Sequence, residues 1–270
     1  MRGWRFLFKL GSGLVDSGGF HHVAIVTRKM ASALKFYQQI LGLTLVKRTV
    51  NPDDPYTPLW IFGDQLGSVG TQLHLLFYPR SSKAEKGAGT VQSVGLRIPE
   101  GASEFWRTRL KRFRTDGEEY RDPDGLLLRM VESDAVKGWR YDECSGVPEE
   151  FAIRGLHSAT VLANAEGQRF WEERDLPGVI WTAAESPGKV GFGGVHHLAF
   201  ISERNDLRHD RHYCRSSYEY TPDGLLCEYA TEEPGPTLDE RRGRPGEKLC
   251  LPPWYEERRD EIESVIRSMK

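Results

Sequence analysis

Short runs rich in β-branched and aromatic residues alternate along this chain with segments of helical period. The runs at 18–26, 91–98, 154–161 and 193–201 read as strands, and three of them follow a glycine closely. After the first, Ala33, Leu34, Phe36, Tyr37, Ile40 and Leu41 make one helical face, closed by Gly42. After the second, Ala102, Phe105, Trp106, Arg109 and Leu110 repeat that face. Near the end, Ile262, Val265, Ile266 and Met269 predict a helix over roughly 256–269, with Pro253 before its start.

The strands are related to one another. Gly-Gly-Phe-His-His-Val-Ala-Ile-Val at 18–26 is echoed by Gly-Gly-Val-His-His-Leu-Ala-Phe-Ile at 193–201. The copy at 154–161 keeps one histidine, His157, and the copy at 91–98 keeps none. A second repeated element, Pro-Asp-Gly followed by an apolar run, occurs at 123–125 and 222–224. Proline presets φ there, aspartate bonds the local backbone and glycine takes positive φ, which makes a turn before a strand. The expectation is an α+β chain of four repeated βαβββ-type units, with units two to four shortened. They fall into a domain at 18–133, a linker at 134–151 and a shorter domain at 152–235. An extension at 1–17, expected to be disordered, precedes them, and a tail with the final helix follows at 236–270. The ten residues 201–210 leave no room for a fourth-unit helix, because even fully helical they span only ~15 Å without connecting loops.

Composition narrows the function classes. Thirty-seven basic and 39 acidic residues nearly cancel, and no basic stripe with interleaved aromatics occurs, so nucleic acid is a poor partner. No apolar run marks a membrane span. Four cysteines without close spacing fit a reduced, cytoplasmic protein. Homo-oligomer formation is left open.

The candidate chemistry lies in the two His-His pairs and one carboxylate. Most strand histidines are satisfied polar groups, but pairs at equivalent places in two repeats stand apart. Strict strand alternation sends one member of each pair to either face, so His21 or His22, and His196 or His197, could meet in a shared concavity. Glu228 sits in an apolar strand, where a bare carboxylate needs a cation. Its counterpart in the second unit is Arg129. Two histidines and a carboxylate make the facial triad of non-haem Fe(II) oxygenases, and Mn(II) or Zn(II) suit the same donors.

These features resemble the vicinal-oxygen-chelate (glyoxalase/bleomycin-resistance/dioxygenase) superfamily, most nearly its two-domain hydroquinone ring-cleaving dioxygenases. The resemblance runs from about Gly18 to Met269. It is carried by Phe20-His21-His22-Val23, the stretch 41–55 with Asn51-Pro52-Asp53-Asp54-Pro55, the loop at 63–71, 152–158, Val195-His196-His197, and Asp210-Arg211 with Tyr213 and Tyr218. It implies two glyoxalase-like domains, with His22, His197 and Glu228 holding Fe(II) and the first and fourth units sharing the cavity. It also implies that His21, His196, Arg211 and Tyr218 surround a small aromatic substrate, a hydroquinone or catechol, that reacts with O2. In other branches His157 with His197 and Glu228 would be the triad. A glyoxalase-like lyase or isomerase is a second reading, disfavoured because no further carboxylate or glutamine stands beside His22 in the sequence. A non-catalytic binding or resistance protein is a third. His74 reads as a strand-face residue, and His209 and His212 as solvated.

Overall fold

The computed structural model describes residues 17–115, 117–204, 206–240 and 245–269. The expected extension falls almost wholly outside the described residues. In chain order the first unit is β1 (Ser17–Thr27), α1 (Met30–Leu34), β2 (Thr44–Asn51), β3 (Asp54–Gly63) and β4 (Gln72–Phe77). The second is β5 (Thr90–Ile98), α2 (Ser103–Arg109), β6 (Glu119–Arg121) and β7 (Leu127–Glu132). The third holds only β8 (Leu156–Ala163), α3 (Ala165–Arg174) and β9 (Val179–Ala183). The fourth is β10 (Gly194–Ser202), β11 (His209–Asp210), β12 (Arg215–Tyr220) and β13 (Leu226–Ala230). No helix is found between β10 and β11 among the described residues, as the ten-residue span requires. The tail ends in a 3₁₀ turn over Pro253–Arg258 that leads into α4 (Arg259–Ser268), whose Ile262 packs on Val50 of β2.

The four units pair crosswise. One sheet runs β11-β12-β13-β10-β1-β4-β3-β2 and joins the fourth unit to the first through antiparallel β10 and β1. The other runs β6-β7-β5-β8-β9 and joins the second unit to the third through antiparallel β5 and β8. One continuous apolar cluster includes Val23, Ile25, Leu198 and Phe200 from the first sheet and Val94, Leu96 and Ala159 from the second. Trp106 of α2 and Phe170 and Trp171 of α3 belong to the same cluster.

The repeated turns fasten this arrangement. The carbonyl of Asp124 in the first Pro-Asp-Gly turn lies against Gly193 (φ +74°), just before β10. The carbonyl of Asp223 in the second turn lies against Gly89 (φ +79°), just before β5. A β-carbon at either glycine would come within about 2.2 Å or less of that oxygen, so both positions need glycine for space as well as for φ.

The first helix departs from the regular form that its spacing predicts. After Leu34 it widens into a π-helical turn over Lys35–Ile40, where the Leu41 N–H reaches back to the Phe36 carbonyl at 2.9 Å. Phe36 and Tyr37 stay buried, and Gly42 ends the helix in left-handed conformation beneath Val147.

Candidate metal centre

The two His-His pairs lie on neighbouring central strands, β1 and β10. Simple alternation fails at both. The ladder passes from Phe20↔Phe200 to His22↔Ala199, and from Ala24↔His197 to Ile25↔Val195, so at its own pair each strand has one extra residue. Those β-bulges fall at His21 and His196 and turn them to the side of their neighbours. Phe20, Val23 and Ile25 face the core, as do Val195, Leu198 and Phe200. All four imidazoles face a cleft of about 330 Å³ on the other side. The expected split of each pair between two faces is therefore corrected.

Glu228 reaches the same cleft from β13, the parallel neighbour of β10, and is 3% exposed. His22 Nε2, His197 Nε2 and Glu228 Oε2 lie 3.0, 3.3 and 2.9 Å apart, taken pairwise as His22–His197, His22–Glu228 and His197–Glu228. Three donors on cis positions of an octahedron with bonds of about 2.1 Å would be ~3.0 Å apart, against ~3.4 Å for a tetrahedron. The spacing matches the facial arrangement.

Hydrogen bonds fix the form of His22. His21 Nε2 lies 3.0 Å from the Thr231 carbonyl, which can only accept, so this nitrogen carries the proton. His21 Nδ1 is then a lone pair, and His22 Nδ1, at 2.9 Å, donates to it. His22 Nε2 is left as a lone pair aimed at a carboxylate and a second imidazole. Two acceptors at 3.3 Å repel unless a proton or cation lies between them, so the donor set fits a metal ion. His196 Nδ1 meets His197 Nδ1 at 2.8 Å in the same way, but no group among the described residues anchors His196 Nε2.

Burial, reinforced by the neighbouring imidazoles, pushes His21 down to about 3 and His196 to about 4, so both are neutral near pH 7. Burial opposes the charged form of Glu228, yet the adjoining imidazoles of His197 and His22 outweigh it and hold the carboxyl well below the usual range. Burial and the Glu228 charge raise the Tyr218 phenol, which stays protonated. Tyr218 donates its hydroxyl to Glu228 Oε1 at 2.9 Å and accepts from Arg211 Nε at 2.9 Å, while Arg211 Nη1 pairs with Asp53 at 2.6 Å. Asp53 sits in the hairpin loop between β2 and β3, so this relay ties the first unit to the fourth across the cleft.

His157 does not join the centre. It lies on β8 of the other sheet and lines a different cavity beside Gly178. His74 is more than a strand-face residue: its ring stacks on His22 with centroids 3.7 Å apart and planes 10° off parallel. Its β4 neighbour Gln72 also lines the cleft, so the expectation of no such group beside His22 is corrected. The register of β4 against β1 carries both, and no local motif announces them. His212 instead contacts Asp239 at 3.5 Å. A second ligand-like grouping, Asp239, Glu240 and Cys250, already has the buried ammonium of Lys47 paired to both carboxylates.

Comparison with known proteins accords with this geometry. The profile of the Glyoxalase/Bleomycin resistance protein/Dioxygenase superfamily matches residues 19–130. A relative from Bacillus subtilis named "Putative ring-cleaving dioxygenase MhqE" is 30% identical, over 92% of this chain and 98% of its own. The chain belongs to this superfamily. The chlorohydroquinone/hydroquinone 1,2-dioxygenase of Sphingobium indicum is 28% identical over 90% of the chain and 94% of its own length. A crystal structure from Bacillus subtilis, titled as that of a "putative dioxygenase", is 28% identical and superposes with a TM-score of 0.80 over 92% and 96% of the two chains. The chain is an enzyme, a dioxygenase. No helix among the described residues is long and apolar enough to cross a membrane.

Proposed function

We propose that this dioxygenase uses Fe(II), held by His22, His197 and Glu228, to open the ring of a hydroquinone or a catechol with O2. The observation that carries the reading is the set of three buried donor atoms 2.9–3.3 Å apart at the base of a cleft. The ion, when bound, supplies the Lewis acidity and one-electron chemistry that dioxygen needs to react with an aromatic ring, and Mn(II) suits the same donors. The named activity on chlorohydroquinone and hydroquinone belongs to the Sphingobium indicum relative and supports the choice of substrate class. Four unpaired cysteines fit a reducing, cytoplasmic setting.

The protein's own groups divide the remaining work. His21, clamped to Thr231, holds His22 in the tautomer that presents Nε2 to the ion. By the same contact His196 holds His197, and its Nε2–H faces the cleft as a donor for a ring oxygen or for negative charge that develops during oxygen transfer. Arg211 and Tyr218 place positive charge and a hydroxyl donor beside Glu228, where they offset anionic charge on the reacting groups. Leu59, Ile61 and Leu76 form an apolar wall that shields the ring from water. Reconstitution with Fe(II) under anaerobic conditions, followed by O2 uptake with hydroquinone and with catechol, tests the reading. One O2 consumed per ring opened supports it, and no uptake with either ring by the Fe(II)-loaded protein overturns it.

A further inference from the structure

The first and fourth units are equivalent in register, and that equivalence singles out one residue without a role so far. On the fourth-unit side, β13 runs parallel to β10 with Ala199 opposite Glu228. On the first-unit side, β4 runs parallel to β1 with Ala24 opposite His74. Ala24 and Ala199 follow His22 and His197 by two residues, so His74 holds the place that Glu228 holds in the other repeat. Both side chains line the same cleft.

His74 is held at two points. Its ring lies flat on that of His22, which fixes its plane. Its Nε2 lies 2.8 Å from Gln72 Oε1, and the Gln72 amide is itself oriented because its Nε2 donates to the Gly67 carbonyl at 2.7 Å. An amide oxygen can only accept, so His74 Nε2 carries the proton and Nδ1 carries a lone pair. No hydrogen bond occupies Nδ1 among the described residues. Ala24, with its short side chain, leaves space between His74 and His197, its partners on either side in the sheet.

We infer that His74 orients the substrate, its Nδ1 accepting a hydrogen bond from the ring hydroxyl that is not bound at the metal centre. The inference rests on the proposed reaction with a dihydroxylated ring and adds to it the group that recognises the second hydroxyl. His74 is thus a substrate-binding residue rather than a fourth ligand, because its ring nitrogens fall outside the set of donor atoms that lie within 4.8 Å of one another, which His22, His197 and Glu228 make up.

The test uses the Fe(II)-loaded protein without O2 and two probes, hydroquinone and 4-methoxyphenol, the second lacking the distal hydroxyl proton. The wild-type protein is expected to bind hydroquinone roughly tenfold more tightly, the worth of one hydrogen bond in a closed site. His74→Phe keeps an aromatic ring against His22 and removes the acceptor, and its preference should fall to within about twofold of none. His74→Leu serves as a second acceptor-free variant should the phenylalanine not fold, and should lose the preference equally. Both variants should bind Fe(II) within a few-fold of wild type. An unchanged preference in the variants overturns the inference while the proposed function stands. Loss of Fe(II) binding in both also overturns it and makes His74 a ligand. Wild-type protein that binds Fe(II) but neither probe overturns this inference together with the reading on which it rests.

Discussion

The two His-His pairs share a sequence, a β-bulge and an Nδ1–Nδ1 contact, yet they are not the same device. In the first pair His21 is buried and both of its ring nitrogens are committed, to Thr231 on the far side and to His22 on the near side. In the second, His196 is half-buried and its Nε2 has no partner among the described residues. The difference lies in what surrounds the bulge: the chain after β13 brings the Thr231 carbonyl over His21, and nothing equivalent among the described residues covers His196. A duplicated motif thus gives one imidazole rigidly supported by its neighbour's fixed ring and one pair left open to the cleft.

Several substitutions would break or sharpen that contrast. His22→Ala removes a donor and should lower Fe(II) affinity at least about 100-fold in an anaerobic titration, more than any substitution behind a ligand. Replacing the paired histidines should then separate their roles. His196→Ala should lower kcat by about 100-fold or more with Fe(II) affinity nearly kept. His21→Ala should instead lower Fe(II) affinity about 10–100-fold, with kcat at saturating metal much less affected. Equal effects of the two alanines on both quantities would remove the distinction drawn here. Tyr218→Phe deletes one hydrogen bond to Glu228 and one from Arg211, and a fall in kcat of roughly tenfold is expected, with the pairing of Arg211 and Asp53 kept.

The smallest effect concerns the repeated turns, where the repeats also diverge. Asp122 opens the first turn, accepts N–H groups of Asp124, Gly125 and Leu126 and is bonded by the Tyr37 hydroxyl, whereas Thr221 holds the equivalent place in the second turn. Burial, with help from Asp124, raises Asp122 to about 6 in spite of those hydrogen bonds. The folded value lies above the unfolded one, near 3.9, so the stabilisation is fully present below about pH 4 and is lost as pH rises through about 6. Thermal unfolding followed across that window should show up to about 3 kcal/mol of this dependence, and Asp122→Asn should flatten it.

Much of this was legible in the residues. The glycine-led strands, the doubled Pro-Asp-Gly turns, the paired histidines and Glu228 are local patterns that foretell four units and a meeting of one histidine from each pair with Glu228. The choice of His22 and His197 within the pairs came from the family resemblance. The missing fourth-unit helix followed from chain length alone. What escaped depends on pairing between distant strands. The bulges at His21 and His196 exist only in the β1–β10 ladder, so period-two reasoning sent one histidine of each pair to the wrong face. His74 and Gln72 come beside His22 through the β1–β4 register, and Asp53 meets Arg211 across units of the chain. The π-helical turn in the first helix leaves the apolar spacing almost unchanged and is invisible to it.

The central claim is that the first and fourth units together build one metal centre. An anaerobic Fe(II) titration of wild type, His22→Ala and His157→Ala tests it most directly. The account predicts one Fe(II) per chain in the wild type and in His157→Ala, with binding lost in His22→Ala. Binding kept in His22→Ala and lost in His157→Ala would contradict it and move the centre to the second half of the chain.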